Sequence, residues 1–241
     1  MTEAAAAPRP KLHEHRHPTA EAATAALARA IVERLRAALA ERGAASLVVS
    51  GGRSPIPLFE RLANTDLDWS RVWITLADER WVPVDHADSN QGLLRRHLLI
   101  GHAAAARFVA LKSDHPTPAA ALADRGSALA AIPRPFDVVV LGMGEDGHTA
   151  SLFPGAAGLD AAMDPDGRAV LAAIDPPAYA PHPRITLTLA ALLDSRAVML
   201  AISGAAKQAI YEQARDQPDW RRWPVSAVLT ATGPALALWL G

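Results

Sequence analysis

Cysteine is absent from the 241-residue sequence, and lysine occurs only three times. The lack of cysteine excludes disulfides, thiolate metal sites and cysteine nucleophiles. No stretch approaches the ~20 apolar residues that a membrane span needs, and the start of the chain lacks the pattern of a signal peptide. The formal net charge of −1 provides no overall field that would attract nucleic acid or anionic lipid. We therefore expect a soluble, cytoplasmic protein whose partners are small molecules rather than nucleic acids or membranes.

Half of the residues are hydrophobic, which is enough to build the core of one large domain. Residues 1–18 contain three prolines and three alternating histidines, so we expect a flexible N-terminal arm there. Residues 19–241 are expected to form a single α/β domain, in which the stretch at 158–183, rich in proline and glycine, forms a flap beside the site. The sequence leaves the assembly open between a monomer and a small homo-oligomer.

The stretch from Phe136 to Ser151 combines a buried strand with a polar turn. A short apolar, β-branched run at 137–141 predicts a strand buried on both faces of a parallel sheet. Three glycines follow within six residues, and they allow the tight turn that carries Asp146 and His148. Ligands of open α/β sheets bind beyond the carboxyl ends of the strands. The sequence therefore predicts a catalytic acid/base pair in this turn.

A second glycine-rich turn follows a predicted strand at 46–50. Ser54 suits the N-cap of the next helix, and Pro55 suits the first helical position. The free N–H groups and the positive end of the helix dipole would then face the strand end, as in a phosphate-binding loop. The turn has neither the Walker lysine spacing nor a full G-x-G-x-x-G, so a nucleotide is not implied.

Charged residues collect at two further strand ends. A strand at 72–77 leads into Asp78 and Arg80, where the arginine could hold an anion or a developing oxyanion and the aspartate could accept sugar hydroxyls or act as a base. A strand at 197–202 leads into a helix whose first turn contains Lys207. A cation at a helix start is unfavourable by roughly 0.3–1 kcal/mol unless an anion is bound there. Lys207 therefore indicates an anionic ligand.

Strands and helices alternate along the chain, which predicts an α/β fold with a mostly parallel sheet covered by helices on both faces. Within this pattern, several sequence blocks together resemble the 6-phosphogluconolactonase family. The blocks are Ser50–Pro55, Asp78–Pro83, His86–Asn90, Gly142–Pro154, Arg184–Thr188 and Gly204–Lys207. They occur in order over nearly the whole chain after the N-terminal arm. The resemblance implies a modified Rossmann-like fold and hydrolysis of 6-phosphoglucono-δ-lactone in the oxidative pentose phosphate pathway, with no cofactor and no metal.

The candidate residues suit that reaction. His148 would take a proton from the attacking water and return one to the ring oxygen as it leaves, because imidazole titrates near neutral pH. Asp146 would orient His148, and Arg80 or a backbone N–H of the 142–147 loop would hold the carbonyl oxygen. The residues expected to bind the substrate, mainly through its phosphate, are Gly51, Gly52, Arg53, Ser54, Asp78, Arg184 and Lys207. A serine nucleophile is not required, since the chain has no G-x-S-x-G elbow.

Two alternatives remain open at this level. A glucosamine-6-phosphate deaminase/isomerase resembles this sequence in the phosphate loop and in the Asp-Gly-His turn, but it would call for an Asn-Glu-Pro run soon after the histidine, where Ser151–Pro154 stands. A non-catalytic sugar-phosphate sensor would bind the same ligands without turnover. The lack of an appended basic helix-turn-helix argues against the sensor.

Overall fold

The computed structural model describes residues 12–241, which fold into an α/β structure with two sheets. The strands are β1 (His13–Arg16), β2 (Ala45–Val49), β3 (Val72–Leu76), β4 (Asp78–Arg80), β5 (Arg107–Val109), β6 (Val138–Gly142), β7 (Leu171–Ile174), β8 (Arg184–Leu187), β9 (Ala197–Ile202) and β10 (Ala235–Leu240). Seven of them form a sheet in the order β1-β10-β9-β6-β2-β3-β5, in which every neighbouring pair is parallel. The other three form a small antiparallel sheet in the order β4-β8-β7. The predicted fold class is confirmed.

The described residues also contain eight helices. They are α1 (Ala20–Arg42), α2 (Ile56–Ala63), α3 (Asn90–His97), α4 (Pro118–Leu129), α5 (Leu159–Ala162), α6 (Leu189–Leu193), α7 (Ala205–Asp216) and α8 (Val225–Leu229), with 3₁₀ turns at Trp69–Arg71 and Gly101–Ala105. Thr19 caps α1 by accepting a hydrogen bond from the backbone N–H of Ala22, and Gly43 ends the helix with a φ of 74°. Of the helices described here, none is long and apolar enough to cross a membrane.

The order of the parallel strands places a crevice between β2 and β6. From β2 the chain proceeds through β3 to β5 on one side of the sheet, whereas from β6 it proceeds through β9 to β10 on the other side. Adjacent strands whose connections diverge leave a crevice at their carboxyl ends, which is where ligands bind in this class of fold. Both strands are almost entirely buried, as continuous apolar runs in a parallel sheet should be.

The N-terminal arm predicted for residues 1–18 needs correction for its last part. His13–Arg16 forms β1, which pairs in parallel with β10 at the edge of the large sheet. Glu14 accepts hydrogen bonds from the hydroxyl of Tyr211 at 2.6 Å and from Arg215 at 3.1 Å. Without β1, β10 would be the edge strand of the sheet, and its unpaired backbone groups provide partners that local sequence signals do not reveal. Residues 1–11 lie outside the described residues.

The predicted flap at 158–183 is partly regular structure. It contains α5 and β7, and β7 joins the small sheet through its pairing with β8. The stretch between these two strands, residues 175–183, contains neither helix nor named strand. This shorter stretch is called the strap below.

Candidate active site

The turn after β6 brings the predicted acid/base pair together. Nδ1 of His148 lies 2.5 Å from Oδ1 of Asp146, and the backbone N–H of His148 donates to the same oxygen at 3.1 Å. An imidazole nitrogen that faces a carboxylate carries the proton, which leaves the lone pair on the other nitrogen. The contact with Asp146 therefore assigns the proton to Nδ1 and the basic lone pair to Nε2 of His148.

The glycines of this turn are required by its close contacts. The N–H of Gly144 donates to the carbonyl oxygen of His148 at 2.9 Å, and the N–H of Gly147 donates to the carbonyl oxygen of Gly144 at 3.1 Å. Gly147 has a φ of 77°, and a Cβ at this position would lie 2.7 Å from Cδ1 of Trp223. Any larger residue would therefore be both strained and obstructed there. The backbone holds the pair in place before any ligand binds.

The carboxylate of Asp146 has a second partner. The hydroxyl of Tyr179 donates to Oδ2 of Asp146 at 2.6 Å. Partial burial alone would raise the pKa of Asp146, but the hydrogen bond and charge of His148 and the hydroxyl of Tyr179 hold this pKa well below its ordinary value. Asp146 is therefore ionised at neutral pH.

A cavity of about 730 Å³ opens beside the pair, at the carboxyl ends of β2, β6 and β9. The sequence-predicted residues that line it are Gly51, Gly52, Arg53, Ser54, Arg80, His148 and Lys207. They come from four separate segments of the chain, and the parallel sheet brings those segments to one edge. With Arg61, the cavity has four cationic side chains and one imidazole, so it suits an anionic ligand and a reaction that needs a base.

The loop at 51–55 differs from the prediction at its cap. α2 begins at Ile56 with Pro55 at the N-cap position, and no side chain caps its first turn. Ser54 is exposed and lines the cavity instead of capping the helix, so its predicted capping role is wrong. Pro55, with φ −80° and ψ −1°, belongs to a turn before the helix, so the first helical residue is Ile56.

Arg184 is a buried guanidinium with donors that have no partner in the structure. It is 5% exposed, and its Nε and Nη1 atoms are fully buried without a hydrogen bond. Burial, followed by the nearby charge of Arg80, lowers the pKa of Arg184 to about 10. The two arginines face each other as paired residues of β4 and β8. Nearby carboxylates offset part of this repulsion, and the unpaired donors remain available to an anion; the carboxylates are Asp78, Asp88 and Glu79.

Asp78 is held by the protein rather than directed to the cavity. Its carboxylate is buried, accepts a hydrogen bond from the hydroxyl of Ser151 at 2.6 Å and lies 3.5 Å from the amide nitrogen of Asn90. The expected contact with sugar hydroxyls is therefore not supported by the geometry. Asp78 instead ties β4 to the segment that follows His148, which fixes the position of the catalytic turn.

Three residues that the sequence did not single out also belong to the site. Glu79 is buried and accepts backbone N–H groups of Asn90 at 2.8 Å and of Gln91 at 2.6 Å, and burial raises its pKa despite these bonds. A Cβ at Gly51 would lie 1.9 Å from Oδ1 of Asn90, an oxygen that is buried without a partner. The hydroxyl of Ser50, which lines the cavity, is likewise buried and unpaired. Such atoms mark positions for a ligand or water, and no short-range pattern reveals them.

One group of donors in residues 12–241 could hold a metal ion. The donor atoms of His86, Asp88 and His182 lie within 4.8 Å of one another. Nε2 of His182 is 2.9 Å from Oδ2 of Asp88, and Nδ1 of His86 accepts the backbone N–H of Asp88 at 3.1 Å. These hydrogen bonds already account for the arrangement, and they join the strap to the segment before α3.

Comparisons with known proteins agree with this geometry. The sequence model of the family described as glucosamine-6-phosphate isomerases/6-phosphogluconolactonase matches residues 18–238. A 6-phosphogluconolactonase of Pseudomonas aeruginosa is 53% identical over 207 residues, which are 85% of this chain and 86% of that protein. A protein of the same name from Pseudomonas putida is 47% identical over 216 residues, 88% of each chain. The crystal structure of a 6-phosphogluconolactonase from Shewanella baltica has a TM-score of 0.92 and 43% identity, and the match covers 96% of this chain and 98% of that one.

Proposed function

Because the chain belongs to the glucosamine-6-phosphate isomerase/6-phosphogluconolactonase family, we propose that it hydrolyses 6-phosphoglucono-δ-lactone to 6-phosphogluconate in the oxidative pentose phosphate pathway. The single observation that carries this proposal is the contact between Asp146 and His148 at a cavity lined by Arg53, Arg80 and Lys207. Ester hydrolysis needs a base, a water molecule and an oxyanion partner, and the phosphate needs cations.

In the first step, Nε2 of His148 removes a proton from a water molecule as the water oxygen bonds to the lactone carbonyl carbon. Asp146 stabilises the imidazolium that forms and keeps its Nδ1–H in place. In the second step, the bond between the carbonyl carbon and the ring oxygen breaks, and His148 returns the proton to that oxygen. The product is an open-chain acid, which ionises at neutral pH. This assignment requires no covalent intermediate.

The negative charge of the intermediate needs a donor at the same cavity. Arg80 lines the cavity with His148 and donates one hydrogen bond to the carbonyl oxygen of Asp88 through Nη1. That bond fixes the guanidinium in place and leaves other N–H groups to hold the carbonyl oxygen. Backbone N–H groups of the 142–147 loop are the second candidates for this role.

We assign the phosphate to the part of the cavity where two helices begin. Gly51, Gly52, Arg53 and Ser54 line it at the start of α2, and Lys207 lines it at the start of α7. The dipoles of both helices favour an anion there, and a bound phosphate would offset the unfavourable position of a lysine in a first turn. Arg184 does not line the cavity, but this buried guanidinium with unpaired donors supplies further positive charge beside Arg80.

The proposal is tested by the rate of 6-phosphoglucono-δ-lactone hydrolysis above its spontaneous background. We expect clear acceleration by the parent protein and a loss of about 100- to 10,000-fold in His148→Ala, because general base catalysis contributes this much. His97→Ala is the matched control: its imidazole contacts Glu60 at 3.0 Å on the surface, so activity should be retained.

A folded parent protein without acceleration would refute the lactonase proposal. Glucosamine 6-phosphate would then be assayed for release of ammonia, which tests the deaminase alternative. Binding of a 6-phosphosugar without turnover of either compound would indicate a sensor. The oligomeric state and the cytoplasmic location stay predictions of the sequence, and light scattering after size-exclusion chromatography measures the former.

A further inference from the structure

Both oxygens of the Asp146 carboxylate are engaged before a substrate binds. Oδ1 faces Nδ1 of His148 at 2.5 Å, and Oδ2 accepts the hydroxyl of Tyr179 at 2.6 Å. The three side chains thus form a continuous row from a phenol through a carboxylate to an imidazole. Asp146 and His148 belong to one turn, whereas Tyr179 comes from the strap, 33 residues beyond Asp146.

Burial of the ring does not explain the position of Tyr179. The residue is 64% exposed, although its hydroxyl makes a short hydrogen bond to a carboxylate that is only partly exposed. Its ring meets Phe153 edge-on with centroids 6.5 Å apart, and Phe153 in turn packs against the imidazole of His148 at 4.3 Å. The hydroxyl is therefore the main link between this tyrosine and the site.

The strap that carries Tyr179 is restrained by two contacts. The N–H of Ala180 donates to the carbonyl oxygen of Pro177 at 2.8 Å and closes a tight turn that contains Tyr179. Downstream, Nε2 of His182 lies 2.9 Å from Oδ2 of Asp88. Four prolines between residues 176 and 183 further restrict the backbone. The phenol is thus presented to Asp146 by a restrained segment.

The raised pKa of Tyr179 agrees with a role in which its hydroxyl only donates a hydrogen bond. Burial of its hydroxyl and then the hydrogen bond to Asp146 raise the pKa of Tyr179 to about 12. The phenol therefore keeps its proton throughout the range in which the reaction is measured. By donating to Oδ2, it reduces the negative charge that Asp146 presents to the imidazole.

We propose that Tyr179 is a positioning residue for the proposed hydrolysis. Its hydroxyl orients Asp146 and limits how strongly that carboxylate stabilises the protonated form of His148. The inference rests on the proposed function of His148 as the base. Without the phenol, Asp146 would rotate more freely, which lowers the turnover rate. Its full charge would also favour the imidazolium, so a larger share of the protein would hold an inactive, protonated base at mildly acidic pH.

The test compares Tyr179→Phe with Tyr211→Phe. Both changes remove one hydroxyl that donates to a carboxylate at 2.6 Å, but Tyr211 bonds to Glu14 at the edge of the sheet. We expect Tyr179→Phe to lower kcat about three- to tenfold, less than the loss of a fully buried charged hydrogen bond because water can partly replace the phenol. KM should change less than about twofold, and the acid limb of the rate profile should move to higher pH. Tyr211→Phe should change none of these quantities.

A second readout does not depend on turnover. The ring protons of His148, identified by comparison with His148→Gln, are followed by NMR against pH in the free protein. Their titration should move to higher pH in Tyr179→Phe and stay in place in Tyr211→Phe. The cations that line the cavity with His148 are unchanged in both variants, so a difference reports the phenol alone; they are Arg53, Arg61, Arg80 and Lys207.

The outcomes separate this inference from the proposed function. A parent protein without lactonase activity would refute the proposed function, while the NMR titration would still decide whether Tyr179 acts on the imidazole. An unchanged titration and an unchanged acid limb would overturn the inference, even if kcat fell, since a purely structural role predicts that result.

Discussion

Gly144 lies directly against the imidazole of His148. A Cβ at Gly144 would be 2.2 Å from both Cε1 and Nδ1 of that ring and 2.6 Å from Oδ1 of Asp146. Separations this short are not tolerated between non-bonded atoms, and the imidazole would have to leave its partner. Because Gly144 has no side chain, His148 can lie close enough to Asp146 to form their hydrogen bond.

We expect Gly144→Ala to lower kcat about 100-fold or more while the protein remains folded. The extra methyl group displaces His148 from Asp146, and a misplacement of about 1 Å can cost this much. Steady-state kinetics and circular dichroism measure the two quantities. Gly126→Ala is the control, because a Cβ at Gly126 in α4 meets no atom within 4 Å. Activity close to the parent value in Gly144→Ala would show that the contact with Asp146 is not required.

Arg184→Met should have different effects on the thermal stability of the free protein and of the phosphate-bound protein. Without phosphate, removal of a buried charge with unpaired donors should leave the melting temperature unchanged or raise it. With inorganic phosphate, the parent should be stabilised by about 2.7 kcal/mol at 100 times its Kd, and the variant by clearly less. Thermal melts with and without phosphate measure both effects.

The control for this experiment is Arg29→Met, which changes an exposed arginine of α1. It should keep the full stabilisation by phosphate. If Arg184→Met instead destabilised the free protein by several degrees and kept the phosphate effect, Arg184 would be a structural residue rather than part of an anion site.

Lys207→Ala should affect phosphorylated substrate selectively. Loss of one charge-assisted hydrogen bond to the phosphate should raise KM for 6-phosphoglucono-δ-lactone about tenfold or more. Hydrolysis of the lactone without its phosphate should change less than about twofold. Lys112→Ala is the matched control, since that ammonium lies over the ring of Trp81 at 4.3 Å and does not line the cavity. Equal losses for both lactones would contradict a phosphate contact.

Local sequence patterns were sufficient to predict the elements whose structure depends on neighbouring residues. Thr19 and Gly43 bound α1 as their capping preferences predict, and apolar runs mark the central strands. The turn with Asp146 and His148 could also be predicted, because its glycines, acid and base all lie within seven residues of one strand end. Its position at the crevice then follows from the parallel order of the sheet.

Contacts between distant segments could not be predicted in the same way. Asp78–Arg80 consists of three charged residues and suggests a loop, yet it forms β4 because it pairs with β8 more than 100 residues later. The burial of Arg184, the enclosure of Asp78 by Ser151, and the bond from Tyr179 all depend on that small sheet and on the strap. The β-propensity of a short segment does not indicate which distant strand it will pair with, because tertiary packing determines such pairings.

Asp146→Asn should move the acid limb of the rate profile to lower pH. The pKa of Asp146 is held well below its ordinary value, so this carboxylate stays charged at every pH of the assay and the limb reports His148. Removing the negative charge removes the group that favours the imidazolium, so the base remains neutral to lower pH. The rate should nevertheless fall roughly 100-fold or more, because the amide no longer fixes the proton on Nδ1. Glu145→Gln changes the neighbouring exposed carboxylate and should alter neither quantity. An acid limb that stays in place in Asp146→Asn would mean that Asp146 does not act on the charge of His148.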